Sequence, residues 1–200
     1  MLAPDHLFAT AQELGADVRS RFDFLSGPRG RTVLAGTVFR VTEALARRVY
    51  SDRSTGLGYA LLRVGGAPGA QPIGPMHTES TGALRGWIDL GEAAPALEPG
   101  TGLVIVQHLS AGPLRLGHDA AAVLGLSGDG ARVYYDLPTE PGSSGAPCFT
   151  PDLTLAAIHV GPASVDRHAP RGAGVGVLAS AVLRDLRERG FGDIVGRAFV

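Results

Sequence analysis

The sequence predicts an all-β fold with one helix near its C-terminal end. Glycine and proline are abundant, with 29 Gly and 14 Pro among 200 residues, and they separate short apolar runs. Frequent turns between short apolar segments are typical of β-sandwiches and β-barrels. A longer helical pattern occurs only late in the chain, where Leu178, Val182 and Leu186 recur every fourth residue and Gly190 provides a stop.

Eight segments combine apolar residues with flanking turn signals, and we expect strands there. In chain order they are Asp17–Leu25, Arg31–Val41, Gly58–Val64, Leu103–Leu109, Ala131–Asp136, Ala146–Thr150, Leu153–Val160 and Gly174–Val177. A short helical turn is expected at Ala9–Leu14 and the terminal helix at Ser180–Arg189. The Gly/Pro-rich stretch 65–86 is interpreted as a connector. We therefore expect an N-terminal β unit at 1–82 and a C-terminal β unit at 83–200.

Composition excludes several kinds of chemistry. The chain has no lysine, which excludes a Schiff base, a Ser–Lys pair and a phosphate-loop lysine. Cys148 is the single cysteine, so there is no internal disulfide or multi-cysteine zinc site, and a reducing cytoplasm fits. A net charge of −1 argues against a nucleic-acid surface, and no apolar run is long enough to span a membrane. We expect a cytoplasmic protein that needs no cofactor or metal.

The segment 134–149 carries the clearest chemical signal. Six small or turn-forming residues at 141–146 separate two apolar strands and include Ser144. Gly142 can adopt a positive φ and direct its N–H toward a developing oxyanion, and Gly145 leaves space beside the serine. The chain has no asparagine, so backbone N–H groups of Gly142 and Ser144 fit the composition as oxyanion donors. The alternative is an ordinary Gly/Ser hairpin loop, which these residues alone favour.

The wider context resembles the nucleophile region of trypsin-like serine peptidases. Gly-Ser-Ser-Gly-Ala-Pro at 142–147 is similar to their Gly-x-Ser-Gly-x-Pro motif, and Ile-His-Val-Gly at 158–161 to a later Gly-Ile-His-x-Gly strand. Residues 58–64, 85–87 and 104–108 resemble the bacterial cytosolic branch and the glutamyl endopeptidases. The resemblance implies a chymotrypsin-like double β-barrel with a truncated N-terminal barrel and a C-terminal helix. It also implies a serine endopeptidase acting on a protein or peptide.

The resemblance further implies a general base and a substrate pocket. Among six histidines, His6 alone lies well upstream of the serine and before a short turn, as the family's base does; a solvated terminal histidine is the alternative. Thr139 and His159 match family positions that contact an acidic P1 side chain. Imidazole and hydroxyl groups can donate to a carboxylate without a full countercharge. A structural role in the core is the alternative for His159.

Two features depart from the family pattern. Gly58 stands where the family carries the aspartate that orients the histidine, and glycine has no side-chain acceptor. Asp52 is a candidate replacement, although a surface turn residue is the simpler interpretation. Five residues precede His6, where the family places about two strands, so exposed sheet edges are expected in the first barrel. A late start, a partner that supplies strands, or a degenerate homologue would each account for this.

Three functions follow from these observations. The first is a serine endopeptidase using Ser144 and His6, with activity weakened by Gly58. The second is a degenerate pseudopeptidase that serves as a protein-interaction module. Because bacterial relatives sit beside effector-associated domains in defence systems, a partner protein fits either function. An esterase is disfavoured because the chain lacks the Gly-x-Ser-x-Gly elbow and an alternating strand–helix pattern.

Overall fold

The computed structural model describes residues 1–7, 17–27, 30, 32–48, 56–74, 83–90 and 95–195. Strands dominate this part of the chain, which confirms the all-β prediction with a C-terminal helix. The strands are β1 Leu2–Pro4, β2 Arg19–Phe22, β3 Leu25–Ser26, β4 Val33–Leu34, β5 Thr37–Arg48, β6 Tyr59–Val64, β7 Leu103–His108, β8 Leu114–Asp119, β9 Val123–Leu126, β10 Arg132–Tyr135, β11 Pro147–Phe149, β12 Leu155–Pro162 and β13 Gly174–Leu178. The helices are α1 Ala179–Glu188 and α2 Gly192–Val195.

The structure differs from the sequence prediction at a few strands. Asp23 has a φ of 58°, in the left-handed region, and this residue separates β2 from β3 within the single strand predicted there. Gly36, with a φ of 71°, separates β4 from β5 in the same way. The sequence did not indicate β1, β8 or β9. Strand β1 has only three residues, and β8 and β9 are mostly exposed or half-buried, so the apolar signal of each is weak. The turn predicted at Ala9–Leu14 lies outside the described residues.

The N-terminal strands form a four-stranded antiparallel sheet in the order β1-β6-β5-β2, and β3 pairs separately with β4. In this sheet Pro4 lies opposite Tyr59. The pairing places the short 3₁₀ turn that follows β1, Asp5–Leu7, beside the first residue of β6. The location of His6 is therefore determined by the pairing of β1 with β6, two strands that are far apart in the sequence.

The C-terminal strands form a seven-stranded antiparallel sheet in the order β8-β7-β11-β12-β13-β10-β9. Helix α1 packs against β12 and β13, with Val182 and Leu186 fully buried. Burial of such a side chain contributes about 1.5–3 kcal/mol to folding. No helix within the described ranges is long and apolar enough to cross a membrane.

A shared core joins the two sheets. Tyr59 and Leu61 of the first sheet pack in one cluster with Ile158 and Val175 of the second. Asp185 of helix α1 adds a polar connection, because it accepts hydrogen bonds from Arg48 Nε at 2.8 Å and from the Tyr59 hydroxyl at 2.5 Å. The turn after β1 and the turn before β11 meet where these two sheets adjoin.

Candidate active site

Ser144 lies in the second of two consecutive tight turns, which share Ser143. The Ser143 N–H donates to the Glu140 carbonyl at 2.9 Å, and the Ala146 N–H donates to the Ser143 carbonyl at 2.9 Å. Each turn has glycine in its third position, Gly142 with a φ of 104° and Gly145 with a φ of 89°. Type II turns require this positive φ, and proline, here Pro141, is favoured just before the glycine. The local sequence therefore accounts for the sharp bend that leaves the serine side chain partly exposed.

The peptide between Pro141 and Gly142 has a defined direction. The Pro141 carbonyl accepts a hydrogen bond from the Ser110 N–H at 2.8 Å. Because N–H and C=O point in opposite directions across a trans peptide, the Gly142 N–H points away from the loop that contains Ser110. Within the described residues, the N–H groups of Gly142 and Ser144 donate to no other group. Two such unengaged donors flanking a serine form a suitable site for an oxyanion.

Ser110 and its neighbour were not indicated by the sequence. Ser110 has a φ of 48° and Ala111 a φ of 58°, so two consecutive non-glycine residues adopt the left-handed region. The Ser110 hydroxyl also donates to Glu140 Oε2 at 3.0 Å. A loop between β7 and β8 thus supports the turn that presents Gly142. This contact joins residues about 30 positions apart, which explains why no local pattern reveals it.

His6 lies beside the serine. Its Nε2 atom is 3.2 Å from the Oγ of Ser144, within hydrogen-bond distance, although the two residues are 138 positions apart. The imidazole is exposed to solvent and is carried by the 3₁₀ turn that follows β1. A base within hydrogen-bond reach of a hydroxyl can remove its proton, which is the arrangement that nucleophilic serines require.

The opposite ring nitrogen of His6 has no acceptor in the described part of the chain. Gly58, which offers no side chain, accepts the Asp5 main-chain N–H at 3.0 Å through its carbonyl oxygen. Asp52, the candidate replacement, lies outside the described residues. Asp5 is 3% exposed and directly precedes His6, so it is a buried carboxylate at the site that the sequence did not single out.

His159 lies on β12 directly behind the serine turn. Its main-chain oxygen accepts from the Gly145 N–H at 2.9 Å, and its N–H donates to the Ala146 carbonyl at 2.9 Å. The side chain is 3% exposed, and its Nδ1 lies 2.5 Å from the hydroxyl of Tyr135. Burial, with a smaller contribution from the nearby charge of His6, lowers the pKa of His159 to about 4. The imidazole is therefore neutral near pH 7.

Thr139 lies in the segment that leads from β10 into the serine turn. It is half-buried, and its hydroxyl makes no hydrogen bond within the described residues. The preceding carbonyl, that of Pro138, accepts from Gln107 Nε2 at 3.0 Å, which fastens this segment to β7. A hydroxyl with free donor capacity is thus placed five residues before Ser144. Across the described ranges, no group of three or more His, Cys, Asp or Glu side chains is arranged to hold a metal ion.

Solved structures of similar fold include serine endopeptidases. A Glu endopeptidase in complex with MPD aligns with a TM-score of 0.61 at 12% identity, covering 95% of this chain and 80% of its own. The serine endoprotease from Yersinia pestis aligns at 0.57 and 14% identity over 97% of this chain, which spans about half, 54%, of that protein. The inactive form of Rv3671c protease, from M. tuberculosis, aligns at 0.56 and 15% identity, covering 94% and 78%.

These alignments confirm the chymotrypsin-like double β-barrel. No protein-family model and no curated protein matches the sequence. At such low identities the likeness shows the fold, and the chemistry must be argued from the residues that this chain brings together.

Proposed function

We propose that this protein is a cytoplasmic serine endopeptidase with Ser144 as nucleophile and His6 as general base. The observation that carries the proposal is the 3.2 Å separation between His6 Nε2 and Ser144 Oγ. The unengaged N–H groups of Gly142 and Ser144 support it, since they supply an oxyanion site next to the same hydroxyl. The similarity of the fold to serine endopeptidases is consistent with this chemistry.

In the proposed reaction, Ser144 Oγ attacks the carbonyl carbon of the scissile peptide while its proton passes to His6 Nε2. The Gly142 and Ser144 N–H groups stabilise the negative oxygen of the tetrahedral intermediate. His6 then donates the proton to the leaving amine, the C–N bond breaks, and an acyl-enzyme remains. Water, deprotonated by His6, attacks the acyl carbon and releases the acid product and the free serine.

We propose an acidic P1 side chain for the substrate. His159 is fixed behind the serine turn, and Thr139 offers a half-buried hydroxyl with no other partner among the described residues. Both groups can donate hydrogen bonds to a carboxylate. Neither His159 nor Thr139 carries a carboxylate that could pair with a P1 arginine or lysine. Trypsin-like cleavage is therefore not expected.

A fluorophosphonate probe tests the nucleophile directly. The wild-type protein should be labelled, Ser144→Ala should abolish labelling, and His6→Ala should reduce it by orders of magnitude, since serine is a poor nucleophile without a base. Ser164→Ala is the control, because Ser164 is an exposed serine whose hydroxyl makes no hydrogen bond within the described residues. Peptides with Glu, Arg or Leu at P1 test the pocket. Equal cleavage of all three would contradict the acidic preference.

The second candidate function is a pseudopeptidase that binds a partner protein, such as an effector-associated domain in a bacterial defence system. The observation that favours it is Gly58, together with the absence of an acceptor for His6 Nδ1 in the described ranges. Loss of the orienting aspartate in a related triad lowers turnover by about 10⁴. A folded wild-type protein whose labelling by the probe does not depend on Ser144 would support this candidate over the first.

A further inference from the structure

Tyr135, His159 and Cys148 form a buried chain of polar groups behind the serine turn. The Tyr135 hydroxyl is 2.5 Å from His159 Nδ1, and the Cys148 thiol donates to the Tyr135 oxygen at 3.5 Å. All three side chains are nearly or fully buried. The tyrosine ring packs against Gly174, where an added Cβ would lie 2.7 Å from Cε2, so β13 restricts the position of the ring.

The protonation of the groups limits the directions that these hydrogen bonds can take. Burial raises the pKa of the Tyr135 hydroxyl well above its usual value and that of the Cys148 thiol to about 12, so both keep their protons near neutral pH. An imidazole nitrogen is a better acceptor than a thiol sulfur, which favours the arrangement in which the thiol donates to the tyrosine oxygen and the tyrosine O–H donates to His159 Nδ1. An accepting Nδ1 carries no proton, and a neutral imidazole therefore carries its proton on Nε2.

His159 Nε2 makes no hydrogen bond within the described residues. The main chain of His159 is fastened to Gly145 and Ala146, the two residues that follow the nucleophile. A neutral N–H donor with no partner, carried on a fixed side chain, thus lies in the neighbourhood of the reacting serine. Such a donor pairs with any acceptor oxygen, whether that oxygen belongs to a carboxylate or to a carboxamide.

We propose that Tyr135 is a positioning residue that holds His159 as the neutral Nε2–H tautomer, so that the pocket selects a P1 side chain with an acceptor oxygen, glutamine as well as glutamate. The substrate part of this inference rests on the proposed peptidase function and widens its acidic P1 class. A carboxylate accepts a stronger hydrogen bond than a carboxamide but costs more to desolvate, and these two effects oppose each other. We therefore expect Glu and Gln to differ by no more than about tenfold in kcat/KM.

The tautomer can be measured without any turnover. In protein labelled with ¹⁵N-histidine, the His159 signals are assigned by their loss in His159→Gln. At pH 7 the wild type should show a protonated Nε2 and a bare, hydrogen-bonded Nδ1. In Tyr135→Phe the Nδ1 signal should move and the other tautomer should become populated. Tyr134→Phe is the matched control, because the neighbouring Tyr134 donates instead to Asp166 at 3.1 Å, and this variant should leave the His159 signals unchanged.

Peptide cleavage tests the consequence for specificity. Wild type should cleave Glu and Gln peptides at similar kcat/KM and a Leu peptide at least a hundredfold more slowly, because leucine leaves the buried donor unpaired. Tyr135→Phe should reduce the advantage of Glu and Gln over Leu by about tenfold or more through KM.

The two proposals fail in different ways. A wild-type spectrum with the proton on Nδ1, or a His159 signal that is unchanged in Tyr135→Phe, would overturn the role of Tyr135 whatever the activity. A confirmed tautomer with strict rejection of Gln would overturn the wider P1 class. A confirmed tautomer in a protein that cleaves no peptide and is not labelled at Ser144 would instead overturn the peptidase function and the P1 class that depends on it.

Discussion

The main-chain N–H of Asp5 donates to the carbonyl oxygen of Gly58 at 3.0 Å, which holds the turn carrying His6 against the start of strand β6. Gly58 has a φ of 66°, in the left-handed region. Glycine provides no side chain at this position. The contact therefore holds the histidine turn through the main chain alone, and Gly58 supplies no carboxylate to His6.

Gly58→Asp should raise the activity of Ser144. Aspartate is among the residues that tolerate a positive φ, so the backbone can keep its conformation. A carboxylate there can accept from His6 Nδ1, fix the tautomer and stabilise the imidazolium. We expect the rate of labelling by a fluorophosphonate to rise by about tenfold or more, compared with a 10⁴-fold effect of the aspartate in a complete triad.

Gly58→Asn is the control for this substitution. Its side chain has nearly the same shape and the same tolerance of positive φ but carries no negative charge. Its labelling rate should stay near that of the wild type. If Asp and Asn raised the labelling rate equally, or if neither raised it, the hypothesis that the site lacks an orienting negative charge would be wrong.

Gly142→Ala should remove most of the activity. A Cβ at this position would lie 2.4 Å from the His108 carbonyl oxygen, and a φ of 104° is unfavourable for alanine. The turn must therefore shift and carry its N–H donor away from the oxyanion position. Loss of one such donor lowers kcat by about 10²–10³. Steady-state cleavage and probe labelling would both measure the effect, with circular dichroism to verify folding.

Gly130→Ala distinguishes the effect of backbone strain from the effect of losing the Gly142 N–H donor. Gly130 also has a positive φ, 64°, but a Cβ there would meet nothing within 4 Å. This variant should lose about 1–2 kcal/mol of stability and keep full activity. If Gly142→Ala retained activity comparable to Gly130→Ala, the proposed oxyanion site would be wrong.

The serine turn could be predicted from sequence because its determinants are local. Pro141, Gly142 and Gly145 specify two consecutive turns through their own backbone preferences. The hydrogen-bond partner of His159 could not be predicted in this way. Tyr135 is brought beside His159 by the strand order β12-β13-β10, which no nearby residue encodes. His6 was indicated by resemblance rather than by pattern. Its distance from Ser144 depends on the pairing of β1 with β6 and on the core between the sheets.

Arg85→Ala should strongly destabilise the protein, because it removes the ion-pair partner of the buried Asp23. Arg85 Nη2 lies 2.6 Å from Asp23 Oδ2, and the two side chains are 8% and 11% exposed. Removing the guanidinium leaves a carboxylate buried without its main partner, which costs about 3–5 kcal/mol. Urea unfolding measures the loss. The double variant Asp23→Ala/Arg85→Ala should lose less than Arg85→Ala alone, because no unpaired charge then remains.

The exposed pair of Arg19 and Asp17 provides the comparison. Their side chains are 63% and 52% exposed, and water screens such a pair almost completely. Arg19→Ala should therefore leave the urea midpoint unchanged. A similar loss for Arg19→Ala and Arg85→Ala would contradict the role assigned to burial.

Asp185 should make stability depend on pH in a defined direction. Burial acts to raise the pKa of its carboxyl, but hydrogen bonds from Arg48 and Tyr59 outweigh burial, and the pKa is lowered. A lowered folded-state pKa stabilises the protein above the unfolded value of about 3.9, and this contribution disappears as pH falls through the folded-state pKa. Asp185→Asn should cost about 1–3 kcal/mol at pH 7, because the buried Tyr59 hydroxyl loses its charged acceptor.

The difference in the free energy of unfolding between wild type and Asp185→Asn should therefore be largest at neutral pH and should shrink below about pH 4. Glu188→Gln, an exposed substitution on the same helix, controls for general acid effects and should show no such gap. A gap that stays constant from pH 7 to pH 3 would mean that the amide disturbs packing rather than the ionic contact. Asp185 connects α1 to both β5 and β6. Its protonation at low pH should therefore loosen the junction of the two sheets, next to which His6 and Ser144 meet.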